Sequence, residues 1–186
     1  MLQINFNPFP NLHSEHLFLR ELTVADADEV FEIRSNAETM KYIPRPLAKT
    51  RQDALDLIKM VRKGILDNEF IHWAITQKES SKLLGMICLL RMKPEHFRTE
   101  IGYILHPDFH RQGIMSEAIK MVIDYAFREL HFHSIEAVID PDNSASEKVL
   151  VKNHFVKEAH LKENEFYNGK FLDTVIYSLL NTENGK

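Results

Sequence analysis

From residue 70 onward the hydrophobic period changes in a way that few folds accommodate. Three runs of strand-forming residues, Phe70 to Gln77, Leu83 to Met92 and Phe97 to Leu105, follow one another at hairpin spacing. The polar turn Lys78 to Ser81 joins the first two. The period then lengthens to that of a helix from about Gly113 to Glu129, with Met115, Ala118, Ile119, Val122 and Ala126 on one face. A strand, Ile135 to Ile139, a helix, Ser144 to Asn153, and two closing strands, around 154 to 162 and 170 to 180, follow. Antiparallel strands feeding a strand–helix–strand–helix–strand unit predict an α+β fold: a mixed, mostly antiparallel twisted sheet with helices on both faces.

The first third of the chain supplies a short strand at Leu17, Phe18, Leu19 and Leu22 and two helix starts. Thr23 with Asp26, and Thr50 with Asp53, each place a capping residue before an apolar helical stripe. Between those helices Tyr42-Ile43-Pro44-Arg45-Pro46 reads as a stiff loop carrying an exposed aromatic and a base. Pro8 and Pro10 predict an extended arm over residues 1–12, whose Phe6 and Phe9 would pin it to the body or to a second subunit. The polar tail 181–186 is expected to fray. With 186 residues, no repeat and no linker, the expectation is a single domain over 1–186.

Composition narrows the class of function. A formal charge of -4 argues against a broad grip on nucleic acid. One Cys excludes an intramolecular disulfide framework and fits a reducing compartment. The N-terminus lacks a basic segment followed by an apolar run, and the longest apolar stretch, Leu83 to Leu90, is too short to span a bilayer. The expectation is a soluble cytoplasmic domain with no membrane and no nucleic-acid partner. No phosphate-binding Gly-x-Gly-x-x-Gly or Walker run occurs among the six glycines. Cys88, inside Met86-Ile87-Cys88-Leu89-Leu90, reads as a buried strand thiol, and His131-x-His133 has no third ligand nearby in sequence, so no metal is expected.

The segment from Thr99 to Ala118 is the most informative. A strand ends at Pro107, crosses a short loop and enters a helix near Gly113 with no Ser, Thr, Asp or Asn immediately before it. Its first amides are free to bind an anion, helped by the helix dipole and Arg111, and Gly113 permits close approach. An ordinary helix start is the competing reading of the same residues. His110-Arg111-Gln112-Gly113-Ile114-Met115 resembles motif A of the GNAT N-acetyltransferases, Arg/Gln-x-x-Gly-x-Gly/Ala, with His110 at the first position and Met115 at the last departing from it. Glu100-Ile101-Gly102-Tyr103 before the turn and Glu117-Ala118 after it are similar to the Rim-type ribosomal-protein N-acetyltransferase branch. So are His16-Leu17-Phe18-Leu19-Arg20 and Asn143-Ser144-Ala145-Ser146 with the closing Asn153-His154-Phe155. The resemblance runs in order over residues 14 to 180.

The resemblance implies a GNAT fold and acetyl transfer from acetyl-CoA to a primary amine. It implies pyrophosphate on the amides of residues 110–116, ending at Ser116, pantetheine along Tyr103, Ile104 and Leu105, and a cofactor-facing Asn143. Asn143 is equally a good N-cap for its own helix. Only a neutral amine attacks a thioester, so a nearby carboxylate serves as general base. Alternation along the strand puts Arg98, Glu100, Gly102 and Ile104 on one face, leaving Glu100 beside a side-chain gap at Gly102. Glu100 is the candidate base, against a solvated Glu paired with Arg98 or a cross-strand base; Glu136 is the fallback. The tyrosine acid of many members falls at Leu150, and Ser146 matches the serine assigned that role in the Rim-type branch, with solvent as the alternative donor.

The acceptor implied is the α-amine of a protein or peptide, such as a ribosomal protein N-terminus, bordered by Tyr42 to Pro46 and the 163–169 turn. A small amine, polyamine or aminoglycoside, is the alternative, favoured by an acidic pocket around Glu69, Glu100 or Glu165. A non-catalytic acyl-CoA-binding module is a third. A homodimer would form through exposed strands or the Phe6/Phe9 arm.

Overall fold

The alternating runs become one eight-stranded sheet. In the computed structural model, which describes residues 2–182, the strands are β1 (Leu12–His13), β2 (Leu17–Arg20), β3 (Ile71–Gln77), β4 (Leu83–Lys93), β5 (Arg98–Leu105), β6 (Ser134–Ile139), β7 (Val156–Tyr167) and β8 (Lys170–Leu180). Their spatial order is β1-β2-β3-β4-β5-β6-β8-β7, and every neighbouring pair is antiparallel except β5 with β6. That pair is parallel because a helix, α4 (Ile114–Arg128), returns the chain between the two strands. The remaining helices are α1 (Ala27–Ser35), α2 (Ala37–Met40), α3 (Arg51–Leu66) and α5 (Ser144–Lys152). None of the described helices is long and apolar enough to cross a membrane.

Trp73 of β3 packs edge-on against Tyr125 of α4, ring centres 5.6 Å apart, which fixes the face that α4 covers. α3 lies on the opposite face, where a Cβ on Gly64 would stand 2.1 Å from the Phe70 ring. Thr50 and Asp53 form the expected reciprocal cap on α3. Thr23 and Asp26 form the expected cap, the Thr23 amide donating to Asp26 Oδ2 at 2.7 Å, but it opens a 3-10 turn over Val24–Asp26 that leads into α1, and Arg20 also grips both Asp26 carboxylate oxygens at 2.6 and 2.9 Å.

The N-terminal arm is pinned to its own body. Phe6 is buried, Phe9 lies edge-on to Trp73, and the Trp73 indole N–H donates to the Pro10 carbonyl at 2.7 Å. These aromatics are therefore spent inside the chain rather than offered to a second subunit. The expected fraying does not begin at Asn181, which is buried and donates its N–H to the His133 carbonyl at 2.8 Å; residues 183–186 lie outside the described residues.

β5 and β6 pair over three positions only, Arg98↔Ser134, Thr99↔Ile135 and Glu100↔Glu136. Beyond them β5 stays with β4 as far as Leu105↔Gly85, and β6 stays with β8 as far as Ile139↔Val175. Each strand is held by its outer antiparallel partner, so the seam between them opens. Gly85 permits the far end of that arrangement, since a Cβ there would lie 2.4 Å from the Ile104 carbonyl oxygen. Gly85→Ala should therefore cost about 1–3 kcal/mol, read as a lower urea midpoint with an unchanged slope.

Candidate active site

Backbone direction along β5 is fixed at both ends. The Phe97 carbonyl accepts from the amides of His133 and Ser134 on the β6 side, whereas the His106 amide donates to Leu84 on the β4 side. Odd-numbered residues therefore turn their peptide groups toward β6. Past Glu100, Ile101 and Tyr103 present these groups to the open seam, and Leu105 its N–H, its carbonyl being met by His110; the result is a strand edge able to take an amide-bearing chain. Ile104 differs from expectation: its peptide groups belong to the β4 ladder, opposite Met86, and it can offer only its side chain.

The turn after β5 is braced by His110, which departs from the family pattern, and by Gln112. His110 Nε2 lies 3.1 Å from the Leu105 carbonyl, which can only accept, so that nitrogen carries the proton. Gln112 donates to the Asp108 carbonyl at 2.9 Å. Gly113 adopts φ +82°, no side chain caps α4, and a Cβ on Gly113 would meet nothing within 4 Å. The amides of Ile114, Met115 and Ser116 thus open onto free space beside the exposed Arg111, a geometry that fits a pyrophosphate. Met115 is buried, so its bulk enters the core and leaves the amide clear.

A groove of about 550 Å³ continues from Gly113 past Ser116, Lys120, Lys152 and Asn153. Lys120 and Lys152 line it together with Glu117 and Asp124, two bases against two acids. The sequence reading missed this groove, although Gly113, Ser116 and Lys120 stand at helical spacing on one stripe of α4. Asn143 caps α5, its Oδ1 accepting from the Ser146 amide at 3.1 Å, and its Nδ2 keeps no partner among the described residues. Capping and a cofactor-facing donor are compatible.

Glu100 is buried on the opposite face of the sheet from Tyr103. Its Oε2 accepts from Arg91 Nη1 at 2.7 Å. Arg91 sits at an irregularity of β4 with φ +47°, and this bulge lets it reach a carboxylate that regular alternation would deny it. Burial raises the Glu100 pKa above the ordinary 4.5, outweighing the pull of Arg91; Glu136 and Glu165 push the same way. Of the two partners weighed for Glu100, Arg98 pairs instead with Glu136, and the cross-strand base is the one met, in Arg91 of β4. The expected gap at Gly102 is also filled: a Cβ there would lie 3.1 Å from Cys88 Sγ and 3.2 Å from Leu90 Cδ2.

On the other face the Tyr103 hydroxyl is buried without a hydrogen bond of ordinary geometry. Burial pushes its pKa up to about 12, and Ser146 is the neighbour close enough to oppose that shift. The structure thus joins Ser146 to a phenol that was expected to contribute only backbone. Leu150 is fully buried. Burial takes the Cys88 thiol to about 12 and His72 to about 4, leaving both uncharged at neutral pH. Tyr42 is half-buried rather than exposed, with Lys41 Nζ 5.1 Å from its ring centre. Among the described residues no three metal-ligating side chains converge.

Residues 16–156 match the model of the acetyltransferase (GNAT) domain. The chain is 33% identical to the uncharacterised N-acetyltransferase YoaA of Bacillus subtilis over 172 residues, 92% of this chain and 97% of that one. YdaF of Bacillus subtilis, provisionally assigned as a ribosomal N-acetyltransferase, is 33% identical over 54% of this chain and 55% of its own length. The spermidine N(1)-acetyltransferase of Escherichia coli is 24% identical, covering 89% and 86%. A GNAT-family acetyltransferase structure from Bacillus anthracis superposes with a TM-score of 0.83 at 25% identity, over 92% of this chain and 98% of that one.

Gly113→Ala tests the turn. Its left-handed φ should cost about 1 kcal/mol of stability, and the methyl placed among the amides should weaken acetyl-CoA binding about tenfold by calorimetry.

Proposed function

The chain belongs to the GNAT acetyltransferase family, and on that footing we propose that it acetylates the α-amine of a protein or peptide, with Glu100 as the general base. The family's co-substrate, acetyl-CoA, supplies the acyl group as a thioester. The observation that carries the assignment of the base is Glu100 itself: a buried carboxylate with a raised pKa, at the point where β5 and β6 part.

The residues divide the work. The amides of Ile114, Met115 and Ser116, with Arg111, hold the phosphates; Tyr103 and Leu105 hold the pantetheine amides along the seam. Glu100 removes the proton from the attacking nitrogen as the N–C bond forms and the C–S bond breaks. A backbone N–H of the open edge steadies the charge that develops on the carbonyl oxygen. A phenol near 12 does not surrender its proton fully to a thiolate whose acid has a pKa of about 8.5. Tyr103 and Ser146 therefore donate hydrogen bonds to the departing sulfur, and solvent delivers the proton.

Charge around Glu100 supports a peptide over a polyamine. Glu100 is met by Arg91 and Glu136 by Arg98, so two of the chamber's acids are already neutralised. Glu69 is exposed, acts on Lys63, and is not among the groups that act on Glu100. Of the acids expected to form a pocket, Glu69 therefore stands apart, while Glu165 joins Glu136 in acting on Glu100. YdaF supports a ribosomal protein N-terminus as the acceptor.

Glu100→Gln should lower kcat by about 10²–10⁴-fold while leaving the Kd for acetyl-CoA within about twofold. For the native chain kcat/KM should rise with pH through Glu100, above 4.5, and again through the α-amine near 7.7–8.0. The lower limb should vanish in the variant; unchanged turnover would remove Glu100 from the role. Tyr103→Phe deletes an unsatisfied buried hydroxyl, so its melting temperature should hold or rise while kcat falls.

A further inference from the structure

The last rung before the seam opens is acidic on both strands. Glu100↔Glu136 is the final paired position of β5 and β6, and residues paired in register put their side chains on one face of the sheet. Like charges set side by side cost stability, and here each is offset by one arginine. Each arginine reaches a single oxygen: Arg91 Nη1 donates to Glu100 Oε2 at 2.7 Å, and Arg98 Nη2 donates to Glu136 Oε2. Oε1 of either glutamate receives no hydrogen bond from the described residues. Glu100 is 7% exposed and Glu136 half-buried, yet neither Oε1 is sealed. The described side-chain atoms buried without a partner belong to Thr39, Arg98 and Tyr103 instead. Two carboxylate oxygens thus stay open to a visitor where the strands part.

An acceptor nitrogen matches this pair. A primary amine carries two N–H groups and one lone pair, and only the lone pair bonds to the thioester carbon. Neighbouring strands stand about 4.8 Å apart. One nitrogen donating two hydrogen bonds of about 2.8 Å spans oxygens up to about 5.6 Å apart. Holding both N–H groups on the glutamates turns the lone pair away from them and into the seam. Because the two arginines leave the four charges neutral in sum, an amine entering as its ammonium is not trapped in that form. We propose that Glu136 is a second catalytic residue: its Oε1 and that of Glu100 accept the two N–H groups of the acceptor and aim its lone pair at the thioester. Glu100 takes the proton of its own N–H as the N–C bond forms and the C–S bond breaks. The N–H held by Glu136 stays on nitrogen and becomes the amide N–H of the product. This rests on the reading of Glu100 as base and adds a requirement for a primary amine.

The test uses peptides identical after the first residue, beginning with glycine or with N-methylglycine, which offers one N–H. A primary polyamine and its N-methyl form complete the panel. kcat/KM is measured with acetyl-CoA on the native chain, Glu136→Gln and Glu100→Gln, with the Kd for acetyl-CoA certifying that each variant is folded. Gln keeps an oxygen for Arg98 but presents an NH2 group where the free oxygen stood. Glu136→Gln should lower kcat/KM for the glycine peptide about 10–100-fold, the loss of one hydrogen bond to a charged group. It should leave the N-methylglycine peptide within about twofold, so the native preference for the primary amine collapses. Glu136→Asp, which keeps the charge and withdraws the oxygen, is read the same way. Equal losses on both peptides, or no loss on the glycine peptide, would overturn the role of Glu136 and leave Glu100 as base. Undiminished turnover by Glu100→Gln would overturn both. Turnover of polyamines alone would remove the peptide reading, and the same ratio on the polyamine pair then decides for or against Glu136.

Discussion

Everything functional in this chain depends on two strands that cannot stay together. β5 is committed to β4 and β6 to β8 by long antiparallel ladders, so their own parallel pairing lasts three positions and stops. Opening a sheet exposes peptide groups that would be costly to bury unpaired. Here that exposure creates an edge facing the turn into α4, where the first helical amides are also unpaired. Two sets of unsatisfied donors from different elements thus lie in one line, as the proposed binding of a ligand with amides at one end and phosphates at the other requires.

The sheet also separates the chemistry. Glu100 faces the α3 side and Tyr103 the α4 side, as strict alternation along β5 requires. The proposed proton acceptor and the proposed hydrogen-bond donor to the leaving group therefore approach the seam from opposite faces. Their environments differ in the sense each role needs. Burial raises the carboxylate of Glu100 yet leaves it beside Arg91, which keeps it ionisable, whereas burial of Tyr103 without a strong partner keeps the phenol protonated.

Departures from the family signature become intelligible in three dimensions. His110 replaces a longer side chain but still ties the turn to the end of β5 through Leu105. Met115 replaces a small residue, and its side chain leaves the amide surface for the core. The missing tyrosine at Leu150 is matched by a phenol reaching Ser146 from a strand instead. Motif matching compares residues at fixed positions; the structure compares atoms at a place.

The sequence alone determined the order and kind of the elements, the Thr50–Asp53 cap, the free helix start at Gly113 and the candidacy of Glu100. Those features depend on local period, capping and backbone freedom, which neighbouring residues encode. It did not determine that Asp26 would be claimed by Arg20, that Arg91 rather than Arg98 would meet Glu100, or that Gly102 would be filled by Cys88 and Leu90. Each of these is a contact between elements distant in sequence. A β-bulge or a register sets it, and such geometry exists only once the sheet has chosen which strands pair and where they part.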